Sequence, residues 1–339
     1  MAEPLTFFLD GGVKIPDELR NEITHVVIGP GVTEIRPALF HGCTALRSVT
    51  IPSTVTKIGA HAFSCCNSLA KVELKEGLEA VDEGAFEFCS ALRSVNIPST
   101  VTKIGTRAFE HCDSLAKVEL NEGLKAVGER AFAFCLALRS VTIPASVVEL
   151  GEGAFSSCMN LSEVIFLGGE RLLKREVLDR GLFIEEEGLL NQGALNELIF
   201  DDNGSYAFNQ SPLRTVKIST SRALSERMAG LPRECWPSFE TAIRAMSGLE
   251  LTRDGTVLAC FPISGSELEG AGNANLENLE TTRSLHRVWT ALRDLKESSI
   301  LIDLAMLNHC RVPVPGPARC AILEHCGFAC FLRPSLGGA

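Results

Sequence analysis

A repeat of 23 residues is the feature that most constrains what this chain can fold into. Six phenylalanines mark it without interruption, and each is followed three positions later by a cysteine. These residues are Phe40, Phe63, Phe86, Phe109, Phe132 and Phe155, with Cys43, Cys66, Cys89, Cys112, Cys135 and Cys158. One repeat holds too few apolar side chains to form a core of its own, so each repeat folds only by stacking on its neighbours. The sequence therefore predicts a solenoid.

Each repeat contains two kinds of local pattern. Residues 95–97 alternate apolar and polar, which predicts a short strand with one buried face, and Pro98 then ends that strand because it has no N–H to donate. Phe86, Cys89 and Leu92 follow at three-residue steps, which favours a short helical turn on the opposite side. Four recurring glycines are expected to adopt a positive φ, namely Gly59, Gly105, Gly128 and Gly151.

Weaker copies extend the repeat in both directions. An N-terminal turn is predicted after a cap at about residues 1–22, from Ile23, Val26, Ile28, Val32 and Ile35. After an insertion at about residues 171–183, a further turn is predicted from Ile184, Leu189, Leu195, Leu198 and Phe200. A shortened last turn is predicted from Phe208, Leu213, Val216 and Ile218. The solenoid is thus expected to span residues 1–219 with eight or nine turns.

The segments IGTRAFEHCDSLAKVEL and LRSVTIPSTVTKIG resemble the BspA-like class of leucine-rich repeats. The resemblance covers residues 23–218, about 60% of the chain. It implies a right-handed, strand-lined solenoid that binds other macromolecules, and it implies no enzymatic activity. The expected fold class is an α/β repeat solenoid, leucine-rich-repeat-like, with short strands plus short helical turns and a mainly helical C-terminal region.

The candidate binding residues form two outward-facing columns. Residues 47–92 and 93–138 are identical at 34 of 46 positions, so the full period is two turns. One column contains Ser48, Lys71, Ser94, Lys117 and Ser140, and the other contains Thr50, Glu73, Asn96, Glu119 and Thr142. We expect these ten residues to bind a protein partner. The alternative is a solvated face that only keeps the stack soluble. Lys71 with Glu73, and Lys117 with Glu119, are expected to form ion pairs along their strands.

Charge and cysteine usage narrow the class of partner. The formal charge is −10 and no basic run occurs, which argues against nucleic acid. No apolar run is long enough to cross a bilayer, and no secretory leader is visible, so we expect a cytoplasmic protein without membrane contact. Cysteines that recur with the hydrophobic period are expected to be buried, reduced thiols rather than disulfides.

Residues 220–339 lack the repeat and are expected to form a mainly helical cap or small domain, with a hairpin at 249–261 that turns at Asp254–Gly255. Zinc-ligand residue types occur near the C-terminus, at His309, Cys310, Cys320, His325, Cys326 and Cys330. Their spacings lack the paired C-x2-C knuckles of structural zinc sites, so ordinary thiols are favoured and no cofactor is expected.

The sequence shows no catalytic motif. The sequence as a whole therefore predicts a non-enzymatic scaffold for protein–protein interaction. Two alternatives stay open: a cell-surface adhesion protein whose leader is missing, and a metal-binding C-terminal module.

Overall fold

The structure is a computed structural model that describes residues 5–10, 15–167, 183–184, 189–190, 207–219, 240–241, 243–246, 248–252 and 256–262. The chain divides into two compact units. The first unit comprises Met1–Asp179 and Gln192–Val216, and the second comprises Arg180–Asn191 and Lys217–Ala339.

The first unit is a parallel β-solenoid with strands on two of its sides. The longer strands are β1 (Leu5–Leu9), β2 (Ile23–Ile28), β4 (Ser48–Ile51), β6 (Lys71–Leu74), β8 (Ser94–Ile97), β10 (Lys117–Leu120), β12 (Ser140–Ile143), β14 (Glu163–Phe166) and β17 (Thr215–Ser219), the last of which crosses the boundary between the units. The two-residue strands are β3 (Glu34–Ile35), β5 (Lys57–Ile58), β7 (Ala80–Val81), β9 (Lys103–Ile104), β11 (Ala126–Val127) and β13 (Glu149–Leu150). A 3-10 helix, Asp17–Leu19, precedes β2.

The predicted strands are confirmed. Val95 and Ile97 of β8 are buried, whereas Asn96 is exposed, as the alternation predicts. Parallel pairing places Val118 of β10 beside Val95, one repeat away. The two-residue strands form one uninterrupted six-stranded sheet from β3 to β13.

The predicted short helical turns are wrong, because two residues in each turn have left-handed backbone. The first position is occupied by Ala38, His61, Gly84, Arg107, Arg130 and Gly153, and the second by Gly42, Cys65, Phe88, His111, Phe134 and Ser157. A positive φ ends an α-helix. Backbone N–H groups instead alternate between local and inter-turn partners: Phe40 N donates to the Ala62 carbonyl of the next turn at 2.8 Å, and His41 N donates to the Ala38 carbonyl at 3.2 Å.

The recurring glycines have a different role from the predicted one. Gly59, Gly105, Gly128 and Gly151 do not have a positive φ. They are required because the backbones of neighbouring turns approach closely. A Cβ at Gly105 would lie 2.6 Å from the Glu83 nitrogen, and a Cβ at Gly151 would lie 2.4 Å from the Glu129 nitrogen.

A column of stacked phenylalanine rings runs through the core. Its members are Phe40, Phe63, Phe86, Phe109, Phe132, Phe155 and Phe208. Neighbouring ring centroids lie between 5.0 Å and 5.4 Å apart, close to the ~4.8 Å spacing of paired strands. These seven rings mark about seven turns rather than the eight or nine predicted.

The insertion is longer than predicted. Phe155 stacks directly on Phe208, 53 positions later, and Phe155 N donates to the Ala207 carbonyl at 2.7 Å. No turn therefore lies between them, and the turn expected from Ile184 to Phe200 is wrong. Phe183–Ile184 (β15) and Leu189–Leu190 (β16) instead pair antiparallel.

The six repeated cysteines are free and buried, as predicted. Each of the last five donates its thiol proton to a phenylalanine carbonyl of the preceding turn, as Cys89 Sγ does to Phe63 O at 3.2 Å. Burial raises the pKa of these thiols, to about 12 for Cys158 and well above the ordinary value for Cys112. The thiols therefore stay protonated at neutral pH and serve the packing of the stack.

In the second unit, the predicted hairpin corresponds to β18 (Leu249–Leu251) and β19 (Val257–Pro262), which pair antiparallel. A two-residue loop at Asp254–Gly255 would leave Thr252 unpaired with Thr256. Instead Thr252 N donates to the Thr256 carbonyl at 2.9 Å, so three residues separate the paired ends and the predicted two-residue turn is wrong.

The mainly helical character predicted for residues 220–339 is unsupported. Residues 240–241 and 243–244 are helical, and the other predicted helices lie outside the described residues. Within the described part of the chain, no helix is long and apolar enough to span a bilayer.

Candidate protein-binding surface

The ten predicted residues lie on the outward face of the longer strands. We call this set of ten residues the ladder. Ser48 stands opposite Lys71 and Thr50 opposite Glu73, and the same pairing recurs between β8 and β10. None of the ten is buried. The predicted orientation of both columns is thus confirmed, their register is confirmed between β4 and β6 and between β8 and β10, and the binding role stays a prediction.

The pairing between the longer strands is interrupted at two places along the described part of the solenoid. Among the described strands, β4 pairs with β6 and β8 pairs with β10, but β6 does not pair with β8, and β10 does not pair with β12. At β4–β6 the residue after the strand contributes a bond, from Lys75 N to Ile51 O at 3.1 Å. Pro98 and Pro144 occupy that position at the two interruptions and have no N–H to donate. Pro52 occupies it at β2–β4, where the pairing is shortened to two residue pairs rather than lost. We call the two interruptions the proline joints.

Glutamates bridge both proline joints. Glu76 accepts hydrogen bonds from Ser99 N at 3.1 Å, Ser99 Oγ at 3.0 Å and Thr100 N at 3.2 Å. These bonds, chiefly the one from the Ser99 backbone, lower the pKa of Glu76 below its ordinary value. At the second joint, Glu122 accepts from the backbone N–H groups of Ala145 at 2.8 Å and Ser146 at 3.0 Å. Each glutamate therefore connects neighbouring turns on the side where the longer strands are not paired.

The ion pairs on the ladder differ between the two copies of the 46-residue block. In the first copy, Glu73 bonds to Lys75 Nζ at 2.5 Å and also accepts from Thr50 Oγ1 at 3.4 Å. The Lys75 ammonium lowers the pKa of Glu73, chiefly through the hydrogen bond from Lys75 Nζ. The predicted pair between Lys71 and Glu73 is wrong, because Lys75 occupies the carboxylate instead.

In the second copy, the position of Lys75 is occupied by Asn121, which carries no charge. Lys117 therefore pairs with Glu119, as predicted. Asn121 Nδ2 donates to Asn96 Oδ1 and to the Ile97 carbonyl, both at 2.8 Å. One substitution between otherwise similar blocks thus changes the charge pattern along the ladder.

An aromatic strip that was not predicted from the sequence lies on the turn side, formed by Phe88, His111 and Phe134. The His111 ring stacks between the phenylalanine rings, with centroids at 4.8 Å and 4.4 Å. All three residues have a positive φ near 60°, which is costly for bulky side chains. The signal was available, since aromatic rings recur there every 23 residues two positions after the core phenylalanine.

A buried carboxylate lies beside this strip. Glu110 is 4% exposed and receives Arg130 Nη2 at 2.6 Å and Arg107 Nε at 3.4 Å. The two guanidinium groups neutralise the carboxylate and fix the positions of their own side chains. Within the described ranges, no group of three or more His, Cys, Asp or Glu residues is arranged to hold a metal ion.

The architecture defines the class: a parallel β-solenoid of about seven leucine-rich-repeat-like turns. The family model for the BspA type leucine rich repeat region matches residues 19–112 and 88–178, with six copies. The chain belongs to the BspA type leucine-rich repeat family.

Several solved structures are similar to part of the chain. The leucine-rich repeat protein of T. pallidum is 34% identical over 47% of this chain and 83% of its own, with a TM-score of 0.40. The pneumococcal vaccine antigen PcpA is 25% identical over 49% of this chain and 42% of its own, with a TM-score of 0.38. A leucine-rich repeat protein from Bacteroides ovatus is 22% identical over 49% and 58%, with a TM-score of 0.26. Among curated proteins, none matches the chain.

Proposed function

We propose that this chain is a non-enzymatic protein-binding scaffold and that the ladder is its docking surface. The observation that carries the proposal is the ladder itself: ten polar side chains on consecutive turns, none of them buried, with matching register between β4 and β6 and between β8 and β10. Solenoids of this class use such extended surfaces to bind other proteins. The partner is expected to be a protein rather than nucleic acid, because the net charge is −10.

The mixed charges on the ladder indicate the charge pattern expected of the partner surface. Lys75, Glu73, Lys117 and Glu119 present both signs within two adjacent blocks. A partner surface of uniform charge would gain at one member of each pair and lose at the other. The ladder is therefore suited to a partner face that is also mixed in sign.

The test exchanges the two members of each ion pair, so that both pairs survive with inverted polarity. The variant carries Glu73→Lys, Lys75→Glu, Lys117→Glu and Glu119→Lys. A matched control reverses four exposed charges off the ladder, with Lys103→Glu, Lys125→Glu, Glu129→Lys and Glu152→Lys. Both variants keep the net charge of the full-length chain.

All three proteins serve as baits for quantitative capture from extracts of the source organism, prepared separately from its cytosol and its cell surface. We expect one or more proteins retained by the wild type and the control but lost with the ladder variant. Equal retention by the ladder variant would remove the ladder as the docking surface. A specific protein from the surface fraction would instead favour adhesion, and the compartment stays a prediction until then.

A further inference from the structure

We propose that the outer edge of β1 pairs antiparallel with β1 of a second copy of this chain. β1 is the first strand of a four-stranded sheet, and no strand in the described part of the chain pairs with its outer edge. An unpaired edge presents a row of N–H and C=O groups to any other strand. This proposal concerns a different surface from the ladder and stands independently of it.

The middle of β1 lacks the charges and prolines that normally prevent edge pairing. Its sequence, LTFFL, contains no charge and no proline, although Pro4 precedes it, Asp10 follows it and its register with β2 shifts between Leu5 and Thr6. The residues from Thr6 to Phe8 lie between these features. Native edge strands usually carry lysine or proline, or they are covered. β1 instead carries Phe8, which is 69% exposed.

The apolar side chains at this end of the solenoid are incompletely covered. Phe7 packs edge-on against Phe40, the first ring of the core column, yet it remains half-exposed. Leu5 is 37% exposed, and Val27, the register partner of Phe8, is 46% exposed. Terminal turns of a solenoid need a polar outer face to stay soluble alone. This end has an apolar one, so it is suited to contact with another surface.

The backbone directions of β1 fix how a second copy would pair. The Leu9 carbonyl accepts a hydrogen bond from Gly29 N at 2.8 Å, so Leu9 directs its polar backbone groups toward β2. Because these directions alternate along a strand, Phe7 does the same, whereas Thr6 and Phe8 direct theirs to the outer edge. Thr6 and Phe8 are therefore the residues that would form hydrogen bonds with a second copy.

Antiparallel pairing centred on Phe7 satisfies both copies at once. Thr6 of each copy then faces Phe8 of the other as a hydrogen-bonded pair, and the two Phe7 residues meet at the twofold axis. Side-chain directions also match, since Thr6 and Phe8 lie on the outward face and Phe7 on the inward face in both copies. The pairing joins the two sheets into one and covers Phe7 with an identical residue.

The test measures self-association of the full-length chain by sedimentation velocity between about 1 and 100 µM. We expect a concentration-dependent monomer–dimer equilibrium. Thr6→Pro removes the outward N–H in both copies and leaves the bonds to β2 intact, so it is expected to weaken association about tenfold or more. Thr6→Val is its matched control, because it keeps the N–H and is expected to associate as the wild type does.

Two further variants keep the proposal falsifiable if Thr6→Pro disturbs β1, which circular dichroism and thermal melting would reveal. Phe8→Lys adds a charge at the interface and is expected to give monomers. Val27→Lys adds the same charge to the same face but one strand away from the edge, and it is expected to retain most of the association. A wild type that stays monomeric at the highest concentration, or a dimer that persists in both Thr6→Pro and Phe8→Lys, would overturn the proposal. So would a dimer that is lost in Val27→Lys and retained in Phe8→Lys.

Discussion

The strand side and the turn side of this solenoid repeat with different periods. On the turn side, the phenylalanine column and the inter-turn hydrogen bonds recur at every turn from Phe40 to Phe155. On the strand side, the residue pattern of the ladder recurs every two turns, and the pairing of the longer strands is interrupted at the proline joints. The turn side therefore connects every turn to the next. The strand side does not need to do so, and its polar contacts and charges can vary.

The largest expected effect tests the turn side directly. Phe109→Ala removes a fully buried ring that stacks on Phe86 and Phe132, and it should lower the free energy of unfolding by about 3–5 kcal/mol. Val95→Ala, a buried truncation on the strand side, should cost about 1.5–2.5 kcal/mol. Urea denaturation measures both. A cost below about 2 kcal/mol for Phe109→Ala would contradict the role of the phenylalanine column in the stack.

The next effect separates close approach from backbone conformation. Gly105→Ala places a Cβ 2.6 Å from backbone atoms of Asp82 and Glu83, so it should cost about 1–3 kcal/mol through displacement of the neighbouring turn. Gly42→Ala is the control, because Gly42 has a φ of 71° with open space around it. It should cost about 1 kcal/mol from backbone strain alone. If Gly42→Ala lowered the denaturation midpoint more than Gly105→Ala, strain from the positive φ would cost more than the close contact between neighbouring backbones.

The proline joints predict a pH-dependent effect of intermediate size. The folded-state pKa of Glu76 is lowered, so its contribution to stability is present above the unfolded-state value near 4.5 and is lost as the pH falls through the lower, folded-state value. Glu76→Gln should therefore reduce the melting temperature at pH 7, and the difference from wild type should shrink below about pH 4. Glu79→Gln, at an exposed carboxylate away from the joint, should show no such trend. A difference that is constant with pH would contradict the assignment.

The smallest effect is expected from restoring the missing donor at a joint. Pro98→Ala supplies an N–H where Lys75 supplies one in the preceding turn, and it gains at most one hydrogen bond while loosening the unfolded chain. The net change in stability should stay within about 0.5 kcal/mol. Hydrogen exchange should nevertheless show a protected amide at residue 98. An unprotected amide there would mean that the strands are too far apart to pair, whatever residue stands at the joint.

The parts of the fold that sequence reasoning predicted are those with a strict period. The strands, the buried thiols and the outward columns all follow from positions that recur every 23 residues, and each is confirmed. The helical turns failed because three-residue spacing fits a run of tight turns as well as a helix, and only φ distinguishes them. The extra turn at residues 184–200 failed because apolar residues in an insertion matched the offsets without the phenylalanine that marks every stacked turn.

The ladder was only partly predictable for a related reason. Side-chain direction follows from alternation, so the columns were found, but the choice of ion-pair partner depends on residues outside the pattern. Lys75 and Asn121 lie just beyond the strands, and they decide which lysine each glutamate binds. The aromatic strip was overlooked because a helical turn was expected at these positions, and the stacking of the three rings follows from the positive φ that the structure has there.

The constant register of the phenylalanine column has an evolutionary consequence. A block of 46 residues can be duplicated or deleted in the gene without introducing any contact that the column does not already contain. The chain tolerates even an unrelated segment between Phe155 and Phe208, because stacking resumes as soon as the next phenylalanine arrives. Selection can therefore adjust the length of such a protein by copying, and its surface by point mutation, as two nearly independent processes.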